Sequence, residues 1–195
     1  MDKFYFEVPS IDRKEDAIDY VNEHYNYNSK INGAGGLYKY IDNYEEWLLK
    51  LEEDYNMVPN EERVPSRTFF LVRESDNRIV GMSNIRTTLN ESLSKYGGHI
   101  GYGIRPTERG KGYNKINLYL GLKVCNEYGI KEALLDANLD NIPSWKTMEA
   151  LGGIRVKEYY SEEEQKNVVN YIIDVKNALH KYKDIYEPYI LEKNK

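Results

Sequence analysis

Seven consecutive residues, Arg109-Gly110-Lys111-Gly112-Tyr113-Asn114-Lys115, combine the charge and the backbone freedom that anion binding requires. They follow an apolar strand-like run and lead into a helical pattern, so they read as a strand-to-helix loop. In such a loop consecutive backbone N–H groups converge at the positive end of a helix dipole. Gly110 and Gly112 permit unusual dihedrals and let a phosphate come close to the backbone, while Arg109, Lys111 and Lys115 add cations at the rim. A diphosphate is the guest that suits this loop. Two other phosphate motifs fit less well. A P-loop needs Gly five places before its Gly-Lys pair and Ser or Thr after it, and here those places hold Arg105 and Gly112. The dinucleotide fingerprint fails because neither Gly101-Tyr102-Gly103 nor Gly110-Lys111-Gly112 has a glycine or alanine three residues on.

Composition narrows the rest. With 195 residues, 41% hydrophobic and 30% charged, the chain is expected to fold as one soluble domain spanning residues 1–195. A net charge of −5 gives no general affinity for nucleic acid, and no basic patch stands out. The first residues show neither a basic leader nor a long apolar segment, so the expected compartment is the cytoplasm, with no membrane partner. Cys125 is alone, and His24, His99 and His180 are too scattered to read as a metal site. Cys125 sits in an apolar helical stretch, where a buried inert thiol is the commoner outcome.

The elements that must position the loop can be read in order. A short aromatic strand at residues 4–8 precedes a helix opened by a capping box at Asp12 and Glu15, with Ala17, Ile18, Val21 and Tyr25 on one face. A glycine-rich loop over residues 26–36 leads to a second helix with Tyr44, Trp47, Leu48, Leu51 and Tyr55 together. Strands are expected at residues 68–72 and 79–89, joined by a turn at Asp76-Asn77, and at residues 97–104. After the loop come a helix ending at Gly129, a strand over residues 132–137, a helix capped by Asn141 and closed at Gly152, and two paired strands at residues 154–160 and 168–175. They are joined by a charged connection at residues 161–166, and a tail over 176–195 could dock as a helix. The order β-α-α-β-β-β-α-β-α-β-β predicts an α/β fold, a mixed, twisted β-sheet with helices on both faces. Its strand–loop–helix–strand unit predicts two parallel neighbours, with the ligand at their carboxyl ends.

The run Arg105-Pro106-Thr107-Glu108-Arg109-Gly110-Lys111-Gly112 resembles the central motif of the GNAT superfamily of acyl-CoA-dependent N-acyltransferases. The family pattern of Arg or Gln, two residues, Gly, one residue, then Gly or Ala is matched by Arg109 and Gly112, and departs at Asn114. The stretch from Asn141 through Ser144 to Gly152-Gly153 is similar to the family's later helix, and Tyr96-Gly97-Gly98-His99-Ile100-Gly101-Tyr102 with that ending resembles a subgroup of predicted acetyltransferases. The resemblance implies acetyl-CoA as cofactor, held by Tyr102, Ile104, Arg109, Gly110, Lys111, Gly112, Tyr113, Asn114, Lys115, Asn141 and Ser144. It implies transfer to a primary amine of a small molecule or peptide, by a monomer or homodimer. A non-catalytic acyl-CoA-binding domain is the alternative, and a flavin or nucleotide protein a third.

By the same resemblance the Tyr102 backbone amide is the donor to the thioester carbonyl, an interaction class worth about 3 kcal/mol. Ile104 would pair with pantetheine, the two parallel strands would splay so that this arm lies between them like an added strand, and Gly101 and Gly103 would leave room for it. Gly98 stands where some members carry a glutamate base, and Met148 where many carry a tyrosine acid. His99 is the neighbouring titratable group. It reads first as a histidine satisfied within the sheet, and second as a possible base.

Overall fold

The computed structural model describes residues 2–162 and 165–191. The centre of the charged connection, residues 163–164, and the end of the tail, 192–195, lie outside them. Strand β1 (Phe4–Glu7) is followed by helices α1 (Lys14–Asn26) and α2 (Tyr44–Asn56), then by strands β2 (Ser66–Arg73) and β3 (Arg78–Arg86). A short helix α3 (Glu91–Lys95), absent from the sequence reading, precedes β4 (Ile100–Ile104) and α4 (Tyr113–Glu127). Then come β5 (Glu132–Asn138), α5 (Ile142–Ala150), β6 (Ile154–Ser161), β7 (Lys166–Asp174) and α6 (Val175–Tyr186).

Side-chain alternation along β2 builds two cores. Phe69 and Leu71 face the layer that contains α4, while Phe70 and Val72 face α1 and α2. Helix α4 is buried over most of its circumference, from Ile116 to Cys125, because the sheet lies on one side and α6 covers another. Tyr119 and Tyr186 pack there with ring centroids 5.3 Å apart. Within the tail, α6 packs against α4 and begins at Val175, with the Asp174 carboxylate accepting from the Asn177 amide at 3.0 Å.

Two helix details differ from expectation. Residues Ile11–Arg13 form a 3₁₀ turn, so the proposed box at Asp12 gives way to a helix that starts at Lys14. The buried face of α1 is Ala17, Tyr20, Val21 and His24, leaving Tyr25 exposed. Tyr55 is also exposed, and Asp54 is the buried residue in its place on α2.

The larger correction concerns the sheet. It is divided into an antiparallel set ordered β1-β2-β3-β4 and a second antiparallel set ordered β5-β7-β6. The expected parallel neighbours β4 and β5 form no ladder. They touch at one end, where the His99 N–H donates to the Leu134 carbonyl at 2.7 Å and the Leu134 N–H donates to His99 Nδ1 at 3.0 Å. Gly97 and Gly98, with φ of 112° and 69°, break the strand there and delay β4 to Ile100. Past that junction the two strands separate and leave a cleft between the sheets.

Candidate active site

The register of β4 decides which of its amides face the cleft. Arg86 N–H donates to the His99 carbonyl at 2.8 Å and Arg105 N–H to the Val80 carbonyl at 2.9 Å, so residues 99, 101, 103 and 105 bond to β3. In an antiparallel ladder the alternate residues point the other way. Tyr102 and Ile104 thus present their backbone groups to the open edge. The Tyr102 side chain crosses beneath the cleft, where its hydroxyl donates to the Ser144 carbonyl at 3.2 Å and meets Ser144 Oγ at 3.2 Å. Burial pushes that phenol's pKa well up. Tyr102 and Ser144 together tie β4 to α5 at the floor of the cleft.

From β4 the chain enters the glycine loop under tight restraint. Arg105, 1% exposed, donates from Nε to the Ile79 carbonyl at 2.9 Å and from Nη1 to Asp19 and Glu23 at 2.6 and 3.0 Å. Glu108, also buried, accepts from Arg73, Arg78 and Lys111 at 2.8 to 3.2 Å. Burial alone would raise the Glu108 carboxyl, but the hydrogen bonds from Arg73 and Lys111 hold it below the usual range. Gly110 and Gly112 take φ of 77° and 82°, and a Cβ built on either would meet nothing within 4 Å. Among the described residues, the amides of residues 110–114 donate to no protein acceptor, although Gly112 is the N-cap of the 15-residue α4. Five consecutive donors therefore go unanswered by protein at a helix N-terminus, with open space beside Gly110 and Gly112.

The side chains of the loop are arranged less uniformly than the sequence suggested. Lys111 is turned onto Glu108, and Arg109 donates to the Ile104 carbonyl at 3.2 Å and to Ser29 Oγ at 2.6 Å. The Tyr113 ring lies against Phe4, with centroids 4.6 Å apart, and its hydroxyl donates to Asp2 at 3.0 Å. Tyr113 therefore offers the cleft its amide, Lys111 is absent from the groove walls, and Lys115 is an exposed cation at the rim. Asn114 Oδ1 accepts from Asn117 at 3.5 Å, inside the first turn of α4. Asn141 occupies the N-cap position of α5, yet its side chain makes no capping bond, so its amide is available to the cleft.

Gly101 and Gly103 do not make room for a cofactor. A Cβ on Gly103 would lie 2.9 Å from the Asn32 carbonyl, and one on Gly33 would lie 2.7 Å from the Gly101 carbonyl. The chain's own α1–α2 loop fills that side, so the open cleft lies at the outer edge of β4. The glycines of residues 33–36 carried this signal, since glycine opposite glycine is how two backbones approach closely.

A groove of about 1300 Å³ runs along the cleft from Gly110, Gly112 and Asn141 past Tyr102 to Arg86, Asp136 and Tyr159. The groove joins the open space beside the glycine loop to a chamber lined by Arg86, Asp136 and Tyr159. A family model described as the acetyltransferase (GNAT) family matches residues 35–153. The chain belongs to the GNAT acetyltransferase family. No curated protein matches it by sequence. Among solved structures, a spermidine N-acetyltransferase from Vibrio cholerae is similar in fold, with TM-score 0.64 and 15% identity over 92% of this chain and 98% of that one. A ribosomal-protein-S5-alanine acetyltransferase from Vibrio fischeri has TM-score 0.62 and 12% identity over 87% and 92% of the two chains.

This GNAT chain is an acetyltransferase in which two positions are closed to side-chain chemistry. A Cβ on Gly98 would lie 2.2 Å from the Leu134 carbonyl, so no carboxylate could be accommodated there without moving β5. Met148 is fully buried in the core. His99 uses Nδ1 to accept from Leu134, and burial followed by the nearby Arg86 lowers its pKa. It is absent from the groove walls and serves the junction between the sheets. Asp136 was not singled out by sequence. Leu135 and Ala137 face the core, and the alternation of β5 turns Asp136 to the groove.

Proposed function

We propose that this protein transfers an acetyl group from acetyl-CoA to a primary amine of a small molecule or peptide. The observation that carries the proposal is that two sets of unsatisfied donors, the loop amides and the outward-facing edge at Ile104 and Tyr102, border one groove. Donors so placed suit a diphosphate joined to an amide-bearing arm that lies along β4 like an added strand. The open space above Gly110 and Gly112 fits that occupant, and Asn141 and Ser144 border the same arm from α5.

Acetyl-CoA supplies an activated thioester when bound. The chain supplies the surroundings. The Tyr102 amide is held by the β3–β4 ladder and aimed into the cleft, where it can donate to a developing oxyanion at little cost in reorganisation. An amine acceptor must lose a proton before it attacks. With Gly98 closed and His99 engaged, Asp136 is the β5 carboxylate that lines the groove and can take that proton. Tyr159, whose phenol is pushed up to about 12 by burial, then Asp136 and Tyr96, remains protonated beside it.

The test is release of free thiol from acetyl-CoA with a panel of amines, coupled to mass detection of the acetylated product. Turnover that is lost in Asp136→Asn with acetyl-CoA affinity preserved supports these assignments. Acetyl-CoA binding without turnover on any amine contradicts the proposed reaction.

A further inference from the structure

Most arginines of this chain are answered by carboxylates. Arg13, Arg63, Arg73, Arg78, Arg105 and Arg155 all form ion pairs. Among the described residues Arg67, Arg86 and Arg109 form none, but Arg67 lies over the rings of Tyr55 and Phe69, and Arg109 donates to Ile104 and Ser29. Arg86 closes β3, is half-buried, and lines the groove at the end away from the glycine loop. Among the described residues its side chain gives one hydrogen bond, from Nη1 to the Gly98 carbonyl at 2.7 Å, and no carboxylate pairs with it. A guanidinium has five N–H donors in a planar fork and does not give up its charge. Most of that fork is therefore unanswered by protein, in a setting where burial lowers the group's pKa. A desolvated cation with donors open to a groove is suited to an anion in the groove.

The other wall carries the opposite sign. Asp136 lines the same groove from β5, and its field acts on Arg86. A cation on one wall and a carboxylate on the other match a molecule that bears both charges a short distance apart. We propose that the acceptor subsite binds a free amino acid, with its carboxylate on the Arg86 guanidinium and its ammonium group toward Asp136. This rests on the amine-acetylating reading above and narrows its substrate class. A polyamine would bring no anion to Arg86 and would place further positive charge beside it.

The experiment compares matched pairs, L-amino acids and the same amino acids as carboxamides, with spermidine as a third arm. Initial rates of thiol release and calorimetric titration of the acetyl-CoA-loaded protein are both read. A charge-assisted hydrogen bond to Arg86 predicts that the free acid exceeds its carboxamide in kcat/KM by about tenfold to a hundredfold, mainly through KM. In Arg86→Gln the ratio falls toward one, and Arg86→Lys restores part of it. A wild-type preference for carboxamides or spermidine overturns the inference, as does an equal loss on acid and amide in Arg86→Gln, which would make Arg86 a brace for Gly98. Absence of thiol release with every amine contradicts the reaction itself. In that case calorimetry on the wild-type protein still decides about Arg86, since equal affinity for the pair, or no binding of the free acids, overturns it.

Discussion

Gly112→Ala and Gly129→Ala place the same methyl group at opposite ends of α4. Gly112 has φ of 82° and Gly129 φ of 72°, and a Cβ at either meets nothing within 4 Å. Each substitution therefore carries the backbone cost of a left-handed alanine with no added clash, about 1 kcal/mol. For a chain of this size that lowers the melting temperature by about 2–4 °C. The two differ in what the methyl enters. At Gly129 it enters solvent beyond the helix C-terminus, whereas at Gly112 it enters the open space beside the unanswered amides. Loss of one or two charge-assisted hydrogen bonds there weakens coenzyme A binding by about tenfold to a hundredfold. Thermal melts of the free proteins, followed by calorimetric titration with coenzyme A, separate the two effects. Similar melting shifts with a selective affinity loss in Gly112→Ala are expected. Equal affinities in the two variants would refute the assignment of the loop as the diphosphate cradle.

Further outcomes follow from the same geometry. Gly98→Ala should disrupt the junction of the two sheets, since its Cβ would lie 2.2 Å from the Leu134 carbonyl; a native-like melting temperature in that variant would argue against the junction described. Asn141→Ala should leave folding stability nearly unchanged, because no capping bond is lost, while weakening coenzyme A; a clear drop in melting temperature without an affinity change would reverse the roles. His24 donates from Nδ1 to the Lys30 carbonyl at 3.1 Å, and burial, then Arg109, lower its pKa to about 4. The unfolded state thus takes up the proton first, near pH 6.5, so the stability His24 contributes is present above that pH and lost as pH falls toward about 4. The window corresponds to about 3 kcal/mol, and urea melts of His24→Gln should show a shallower acid decline than the wild type.

The loop was legible because glycines and cations in sequence order are themselves the site, and their amides need no distant partner to be recognised. The core strands were legible too, since Phe69 through Val72 form a continuous apolar run. What the sequence hid depends on pairing across the chain. Nothing local marks Glu108 as a buried carboxylate, because Arg73 and Arg78 lie on other strands. The splay of β4 from β5 was implied by the family resemblance, but the absence of any parallel ladder and the bends at Gly97 and Gly98 depend on partners distant in sequence. Alternation in the short strand β5 turns Asp136 away from Ala133, Leu135 and Ala137, but nothing local says that its polar side borders a groove rather than solvent, and Arg86 reads as an ordinary strand-terminal charge. The face of α1 was misplaced by one residue because Tyr25 and His24 are both plausible inward groups, and helical periodicity alone does not choose between them.

The most direct measurement of the central claim is a paired titration and turnover assay on the intact protein. Acetyl-CoA is titrated calorimetrically into wild type and Gly112→Ala, and free thiol is then followed after an amine is added. Saturable acetyl-CoA binding, weakened in the variant, is expected, with thiol release that requires the amine and yields its acetylated form. No acetyl-CoA binding by the wild type, or thiol release at the same rate with and without amine, would contradict that claim.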